Sequence, residues 1–212
     1  MVSEERETII KKGSESKYLS LCKKEVWPSL KSHGGKVICL MKGLIGLSPT
    51  TLGQITSYND IHSWDGSQDS WPSLREQFVE RERVRVLKPI SRRPKNVIPV
   101  EDRRPVYGYR KFMISPNDLS EFVTCSENGI WPRIESMGAC ILGMWTTITS
   151  TTPMEVILLT GYHSPSHWKQ TRPENMGASK ELRDIEMPYR SRRIELTKTT
   201  KVSLMTSLDI DH

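Results

Sequence analysis

The sequence lacks the short motifs that mark many enzymes. Its 212 residues contain no G-x-S-x-G, no P-loop and no G-x-G-x-x-G. A serine triad and a nucleotide-phosphate cradle are therefore without support. No apolar run approaches the roughly 18 residues of a membrane-crossing helix, and the opening MVSEERETII has no apolar signal-peptide core. We expect no membrane contact.

Metal-ligand patterns are also missing. The four cysteines form no C-x-x-C and have no histidine at zinc spacing. Free cysteines of this kind are typical of buried positions in a reducing compartment, so a cytoplasmic protein without a metal site is predicted. The five histidines are sparse, and no carboxylate stands at ligand spacing around His163 and His167.

The composition is that of a folded protein with a basic excess. Hydrophobic residues make up 36% of the chain and charged residues 26%, with a net charge of +6. This is enough apolar material for a core. The charge indicates either ordinary solubility or attraction to anionic ligands.

A repeat organises the chain. The Trp27-Pro28 step recurs as Trp131-Pro132, 104 positions later, and the same offset aligns further residues without a gap. The aligned pairs include Arg6/Arg110, Ile10/Ile114, Gly34/Gly138, Pro49/Pro153, Tyr58/Tyr162, Trp64/Trp168 and Ile90/Ile194. Two pairs of a rare tryptophan in one ungapped register indicate a tandem duplication.

The duplication divides the chain into two units. We expect repeat 1 over 1–90, a linker over 91–105, repeat 2 over 106–199 and a tail over 200–212. Each unit reads as βαββαβ, with its first helix breaking at Trp-Pro because proline lacks a backbone donor. The second helix is predicted to start after Asp60 or Ser164 and to run over 61–83 and 165–186, and the last strand is predicted over 84–90 and 189–196.

The βαββαβ order is that of a ferredoxin-like unit, with two helices on one face of a four-stranded antiparallel sheet. One face of each sheet is then bare. Two units in one chain can cover both faces by packing sheet to sheet. The sequence therefore predicts an α+β fold, a pseudo-dimeric α+β barrel of two tandem repeats, with a ligand between the sheets.

Three segments resemble a known family. YGYRKF (107–112), WPSLKSHGGKV (27–37) and LTGYHSPSHW (159–168) are similar to the first strand, helix end and third strand of NIPSNAP proteins, a family of dimeric α+β barrels. The resemblance implies the fold and only a range of chemistry, since relatives include binding proteins, cofactor-free oxygenases, haem enzymes and lyases or cyclases. It favours no cofactor, with haem as a minor alternative.

Candidate ligand-binding residues come from the repeat. Arg6 and Arg110 share one position on the first strand, where a buried cation needs an anionic partner, either a ligand carboxylate or phosphate or a structural acid. Tyr107 and Tyr109 share a strand face and could line a cavity or pack against helices. Tyr58 and Tyr162 end the third strand, as rim residues or as contacts for the next helix.

Positions where the copies differ complete the candidate set. Trp145 stands opposite Met41, Gln54 opposite Leu158 and Glu155 opposite Thr51, so they could make one repeat the functional one. The repeated tryptophans indicate core packing instead.

Acid–base chemistry would use Tyr107 or Tyr109 as the proton donor and His33 or His167 as the base. For either histidine, the alternative is a position on the protein surface without a catalytic role.

Two functions are compatible with these residues. The first is an enzyme, a cofactor-independent lyase, isomerase, cyclase or oxygenase acting on a small, partly apolar anion. The second is a non-catalytic binding or scaffold protein with a filled barrel. Nucleic-acid binding is not expected, because the basic linker and tail also carry acids and lack interleaved aromatics. A homodimer is compatible with the sequence.

Overall fold

The computed structural model describes residues 1–71, 73–94, 97–149, 151–175 and 177–208. Positions 95 and 96 of the predicted linker, 72 of the predicted helix and 209–212 of the predicted tail lie outside these ranges. The strands are β1 (Val2–Ile10), β2 (Lys36–Ile45), β3 (Thr51–Tyr58), β4 (Val79–Pro89), β5 (Val106–Ile114), β6 (Cys140–Thr147), β7 (Met154–Tyr162) and β8 (Thr197–Leu208). The α-helices are α1 (Glu15–Leu21), α2 (Trp27–Ser32), α3 (Ile61–Gly66), α4 (Leu119–Cys125), α5 (Trp131–Ser136), α6 (Pro165–Gln170) and α7 (Lys180–Leu196).

The eight strands form one closed barrel in the order β1-β3-β2-β8-β5-β7-β6-β4. Within each repeat the strand order is ferredoxin-like, because β1 and β5 each lie between the last and third strands of their own repeat. The two sheets join edge to edge through the pairs β2–β8 and β4–β6. Closure removes the free sheet edges. The predicted fold class is confirmed.

The offset of 104 positions relates most of the two repeats. It carries β1 onto β5, α1 onto α4, α2 onto α5 and α3 onto α6 with identical boundaries. The correspondence ends after α6. Arg6 pairs with Val84, whereas Arg110 pairs with Val202, so the last strands are displaced by further residues in repeat 2. The extra length contains α7.

Several sequence expectations fail in this last part of each repeat. The strand predicted over 189–196 is wrong, because these residues belong to α7, and the fourth strand is β8, which runs through most of the predicted tail. The second helix of repeat 1 starts at the predicted place, as α3, but its predicted continuation over 71–83 is wrong, because 73–77 form a 3-10 turn and β4 follows. Ile90 and Ile194 therefore do not correspond.

Both Trp-Pro steps lie where a π-helical turn ends. The turns Cys22–Val26 and Ser126–Ile130 separate the two α-helical parts of the first helix in each repeat. The Trp27 N–H donates to Cys22 O, and the Trp131 N–H donates to Ser126 O. Pro28 and Pro132 cannot continue the α-helical ladder because they have no N–H. The predicted break is confirmed as a π-bulge.

Three apolar cores stabilise the molecule. Two lie between a sheet and the helices of its own repeat, and the third fills the barrel interior. Trp145, Met41 and Met205 are among the interior side chains and are buried. The interior expected to hold a ligand is thus packed with side chains. No helix among the described residues is long and apolar enough to cross a membrane.

Candidate functional site

A cavity of about 260 Å³ lies on the helix-facing side of the repeat 2 sheet. Its floor is formed by β5, β7 and β8, through residues such as Gly108, Leu158 and Val202. Its walls come from α5, the segment after α6, and α7. Apolar side chains including Ile130, Ile134 and Trp168 supply part of the lining. The cavity can therefore accept a ligand with an apolar body.

The polar lining of this cavity is strongly basic. The charged side chains are Arg110, Arg133, Arg172, Arg190, Arg193, Glu174 and Glu186. Arg133 is paired with Glu186 and Arg172 with Glu174, each at 2.7 Å. The other three arginines have no ion pair with any described residue. An excess of unpaired guanidinium groups around a cavity favours an anionic ligand.

Arg110 differs from its repeat partner Arg6 in this respect. Arg6 Nε donates to Glu4 Oε1 at 2.9 Å, and its Nη1 is bonded to Glu82. Burial acts against the charge of both arginines, but Glu4 and Glu82 raise the pKa of Arg6 above its usual value. Burial lowers the pKa of Arg110, which has no such acid beside it. Arg6 is thus neutralised within the protein and Arg110 is not.

The sequence explains the difference. The position of Glu4 is occupied in repeat 2 by Gly108, and the strand position of Glu82 by Thr200. Gly108 also leaves room for Tyr162, because a Cβ there would lie 2.8 Å from that ring. Repeat 2 therefore lacks both acids, and the Tyr162 ring lies against Gly108 where repeat 1 has the Glu4 side chain.

The corresponding space in repeat 1 is occupied. The Trp71 ring centroid lies 3.8 Å from the Arg6 guanidinium carbon, and the Trp64 indole N–H donates to Glu4 at 2.8 Å. The Trp27 indole N–H donates to Gln54 at 3.0 Å. In repeat 2 the position of Gln54 is Leu158, and the buried Trp131 indole N–H has no acceptor among the described residues. The Trp71 ring thus covers the Arg6 guanidinium, whereas a cavity adjoins Arg110.

Arg193 adds a second cation near Arg110. Its pKa is lowered to about 9, chiefly by burial and then by the charge of Arg110. Its Nη1 donates to Ser126 Oγ at 3.1 Å, and its guanidinium lies 5.0 Å from the Phe112 ring centroid. Two guanidinium groups held close together repel each other, and a bound anion would relieve that cost.

Two further groups at the cavity can exchange protons. Tyr162 is 7% exposed, and burial raises the pKa of its hydroxyl. Glu186 is 3% exposed, and its Oε1 has no hydrogen-bond partner among the described residues. A carboxylate and a phenol beside a basic anion pocket are a suitable set for acid–base chemistry.

Comparisons with known proteins give the fold. No family model and no curated protein matches the sequence. A candidate monooxygenase from Lactobacillus acidophilus is 11% identical, with a TM-score of 0.65, over 99% of both chains. An anthrone oxidase-like protein is 10% identical, with a TM-score of 0.60, over 98% of this chain and 91% of its own. The chain has the dimeric α+β barrel fold.

A NIPSNAP domain protein from Burkholderia xenovorans also matches, at 14% identity and a TM-score of 0.38, over 45% of this chain and 100% of its own. At these identities the comparisons show the fold alone. The NIPSNAP likeness remains a resemblance in motifs.

The barrel places the residues predicted for the site in four different regions. The cavity contains Arg110 and Tyr162. The helix-facing core of repeat 1 contains Arg6, Gln54 and Tyr58, where Tyr58 accepts a hydrogen bond from Ser67 at 3.0 Å. The barrel interior contains Tyr107, Tyr109, Trp145 and Glu155. The two predicted histidines lie at helix ends. The predicted set is therefore not brought together as one site.

The interior residues form a network of their own. The Tyr109 hydroxyl donates to Glu5, its repeat equivalent, and Arg85 Nη2 lies 3.1 Å from the same hydroxyl. Arg85 also pairs with Glu5 and Glu155. Trp145 Nε1 donates to Ser3 Oγ at 3.2 Å. Burial raises the pKa of Tyr107 to about 12. These contacts satisfy one another and hold the two sheets together.

The histidines are engaged by the backbone. His167 Nδ1 accepts from the His163 N–H at 3.0 Å, so its Nε2 carries the proton and donates to Met137 O at 2.8 Å. Neither ring nitrogen is left for a general base. His33 is exposed at the end of α2, with Nδ1 2.9 Å from Ser29 O. No group of three or more possible metal ligands occurs among the described residues.

Sequence reasoning missed most of the cavity arginines and Glu186. Glu186, Arg190 and Arg193 lie on α7, part of which was predicted as a strand. Pro188 stands at the predicted helix-to-strand junction, where proline usually ends a helix, yet it lies inside α7. The signal against a break is the absence of any glycine from 180 to 196. Arg133 was missed because its acidic partner lies on that same helix.

Proposed function

We propose that the chain binds a small, partly apolar, anionic molecule in the repeat 2 cavity and transforms it by acid–base chemistry. The observation that supports this most is Arg110, a partly buried guanidinium at a cavity, with no acidic partner among the described residues. The apolar floor suits the body of the ligand, and Arg110 with Arg193 suits a carboxylate, which matches the planar guanidinium fork.

The chemistry follows from the groups around that anion. Tyr162 can donate a proton and Glu186 can accept one, so the pair can move a proton on a bound acid, as in a lyase, isomerase or cyclase reaction. A cofactor-free oxygenation, with dioxygen as the oxidant, would use the same deprotonation as its first step. Tyr107, Tyr109, His33 and His167 have no part in this proposal because they lie elsewhere.

Calorimetric titration with benzoate and with benzamide tests the binding. The two probes share a ring and differ in the charged group. We expect benzoate to bind the wild-type chain and benzamide to bind far more weakly. Arg110→Met should weaken benzoate binding about ten- to a hundredfold, since a hydrogen bond to a charged group contributes about 1.5–3 kcal/mol.

The matched control is Arg192→Ala. Arg192 lies on α7 next to Arg193 but is paired on the surface with Glu121 and Glu195, so its loss should leave benzoate binding unchanged. Equal benzoate affinity in the wild type and in folded Arg110→Met would show that the cavity is not an anion site.

A non-catalytic binding or scaffold protein is the second candidate. The packed barrel interior favours it, because Trp145 and Met41 fill the space between the sheets. It predicts anion binding at Arg110 without turnover of any bound acid. One chain already supplies both halves of the barrel. We therefore propose that a homodimer, if formed, joins the outer surfaces of two barrels.

A further inference from the structure

Glu186 lines the cavity and has one buried carboxylate oxygen without a hydrogen-bond partner among the described residues. Its Oε2 lies 2.7 Å from Arg133 Nε, whereas its Oε1 is buried and makes no hydrogen bond with any described residue. The residue lines the cavity and is only 3% exposed. A buried acceptor without a donor costs free energy and is uncommon in folded proteins.

The groups around Glu186 give the cavity two kinds of polar contact. Arg193 lies close enough to Arg110 and Glu186 to interact with both charges, and all three residues line the cavity. Arginine can only donate hydrogen bonds, and an ionised carboxylate can only accept them. A ligand that fills the cavity meets donors at Arg110 and an acceptor at Glu186.

We infer that the ligand is a carboxylate that also carries an O–H or N–H donor, such as a hydroxy acid, with the donor bonded to Glu186 Oε1. The inference rests on the proposed function, because it places the ligand carboxylate at Arg110. A plain carboxylate brings no donor and leaves Oε1 unpaired. Sites with a buried polar group discriminate strongly against ligands that leave it unpaired.

Hydroxybenzoates test this with the full-length wild-type chain. The 2-, 3- and 4-hydroxy isomers are titrated, each against the methoxybenzoate of the same substitution and against benzoate. The methoxy group keeps the oxygen but removes the donor. We expect at least one hydroxy isomer to bind about tenfold or more tightly than its methoxy counterpart and than benzoate.

Glu186→Gln provides the second readout. The glutamine oxygen can keep the contact with Arg133, which turns the amide NH2 towards the cavity and replaces an acceptor by a donor. The preference for the hydroxy isomer should disappear or reverse in favour of the methoxy isomer. Glu181→Gln, an exposed position on the same helix, should keep the wild-type preference.

Each outcome has one meaning. Arg110-dependent binding of benzoate without a preference for any hydroxy isomer in the wild type would refute the inference and leave the proposed function standing. This comparison needs no variant, so it decides the question even if Glu186→Gln does not fold. The absence of Arg110-dependent binding of every probe would refute the proposed function itself.

Discussion

Arg6 and Arg110 occupy the same repeat position but meet opposite surroundings. The offset of 104 positions selects both arginines from the sequence. It leaves two possible partners for each guanidinium, a structural acid or a bound ligand. The sequence could not show that Arg6 has an acidic partner and Arg110 has none, because Glu82, which contacts Arg6, lies 76 positions away in the chain. Pairing through a neighbouring strand depends on the register, which only the folded sheet shows.

The two arginines should therefore respond in opposite directions to the same substitution. Arg6→Met leaves the buried Glu4 without its cation and Glu82 with Arg75 alone, and it should lower the free energy of unfolding by about 3–5 kcal/mol. Arg110→Met removes an unpaired charge and should leave stability unchanged or raise it by up to about 1 kcal/mol. Urea unfolding of both variants checks this, and a comparable loss in Arg110→Met would contradict our view of Arg110.

At the scale of elements, α7 is the feature that distinguishes the repeats. The elements up to α6 follow the duplication, and their order could be predicted from two copies of one pattern. The helix α7 has no counterpart among the described residues of repeat 1, so the comparison of copies carried no information about it. It packs on the π-helical turn Ser126–Ile130, where a Cβ on Gly129 would lie 2.3 Å from Tyr189 Cβ.

Gly129→Ala should displace α7. The added methyl cannot fit against Tyr189, so we expect a loss of about 1–3 kcal/mol in the free energy of unfolding, although alanine is the better helix former. Benzoate binding should weaken as well, because α7 carries Arg190 and Arg193. The repeat equivalent Glu25 is exposed, and Glu25→Ala should change stability by no more than about 0.5 kcal/mol. Equal effects of the two substitutions would count against this packing.

For the whole molecule, the fold could be predicted and the location of the site could not. Duplication and the βαββαβ order are enough to imply a closed barrel. However, every residue of β3 is buried, and nearly every residue of β7. Because helices cover the outside and the second sheet covers the inside, the alternation that would distinguish the two faces is absent. Arg110 was therefore expected inside the barrel, whereas it lies outside, under α7.

A crystal of the protein soaked with 4-bromobenzoate gives the most direct test of the central claim, that repeat 2 alone holds an anion site on its helix-facing side. The anomalous signal of bromine locates the ring without ambiguity. We expect one peak inside the repeat 2 cavity, with the carboxylate at Arg110, and none beside Arg6. A peak in the barrel interior near Tyr109, or at Arg6 alone, would contradict the account.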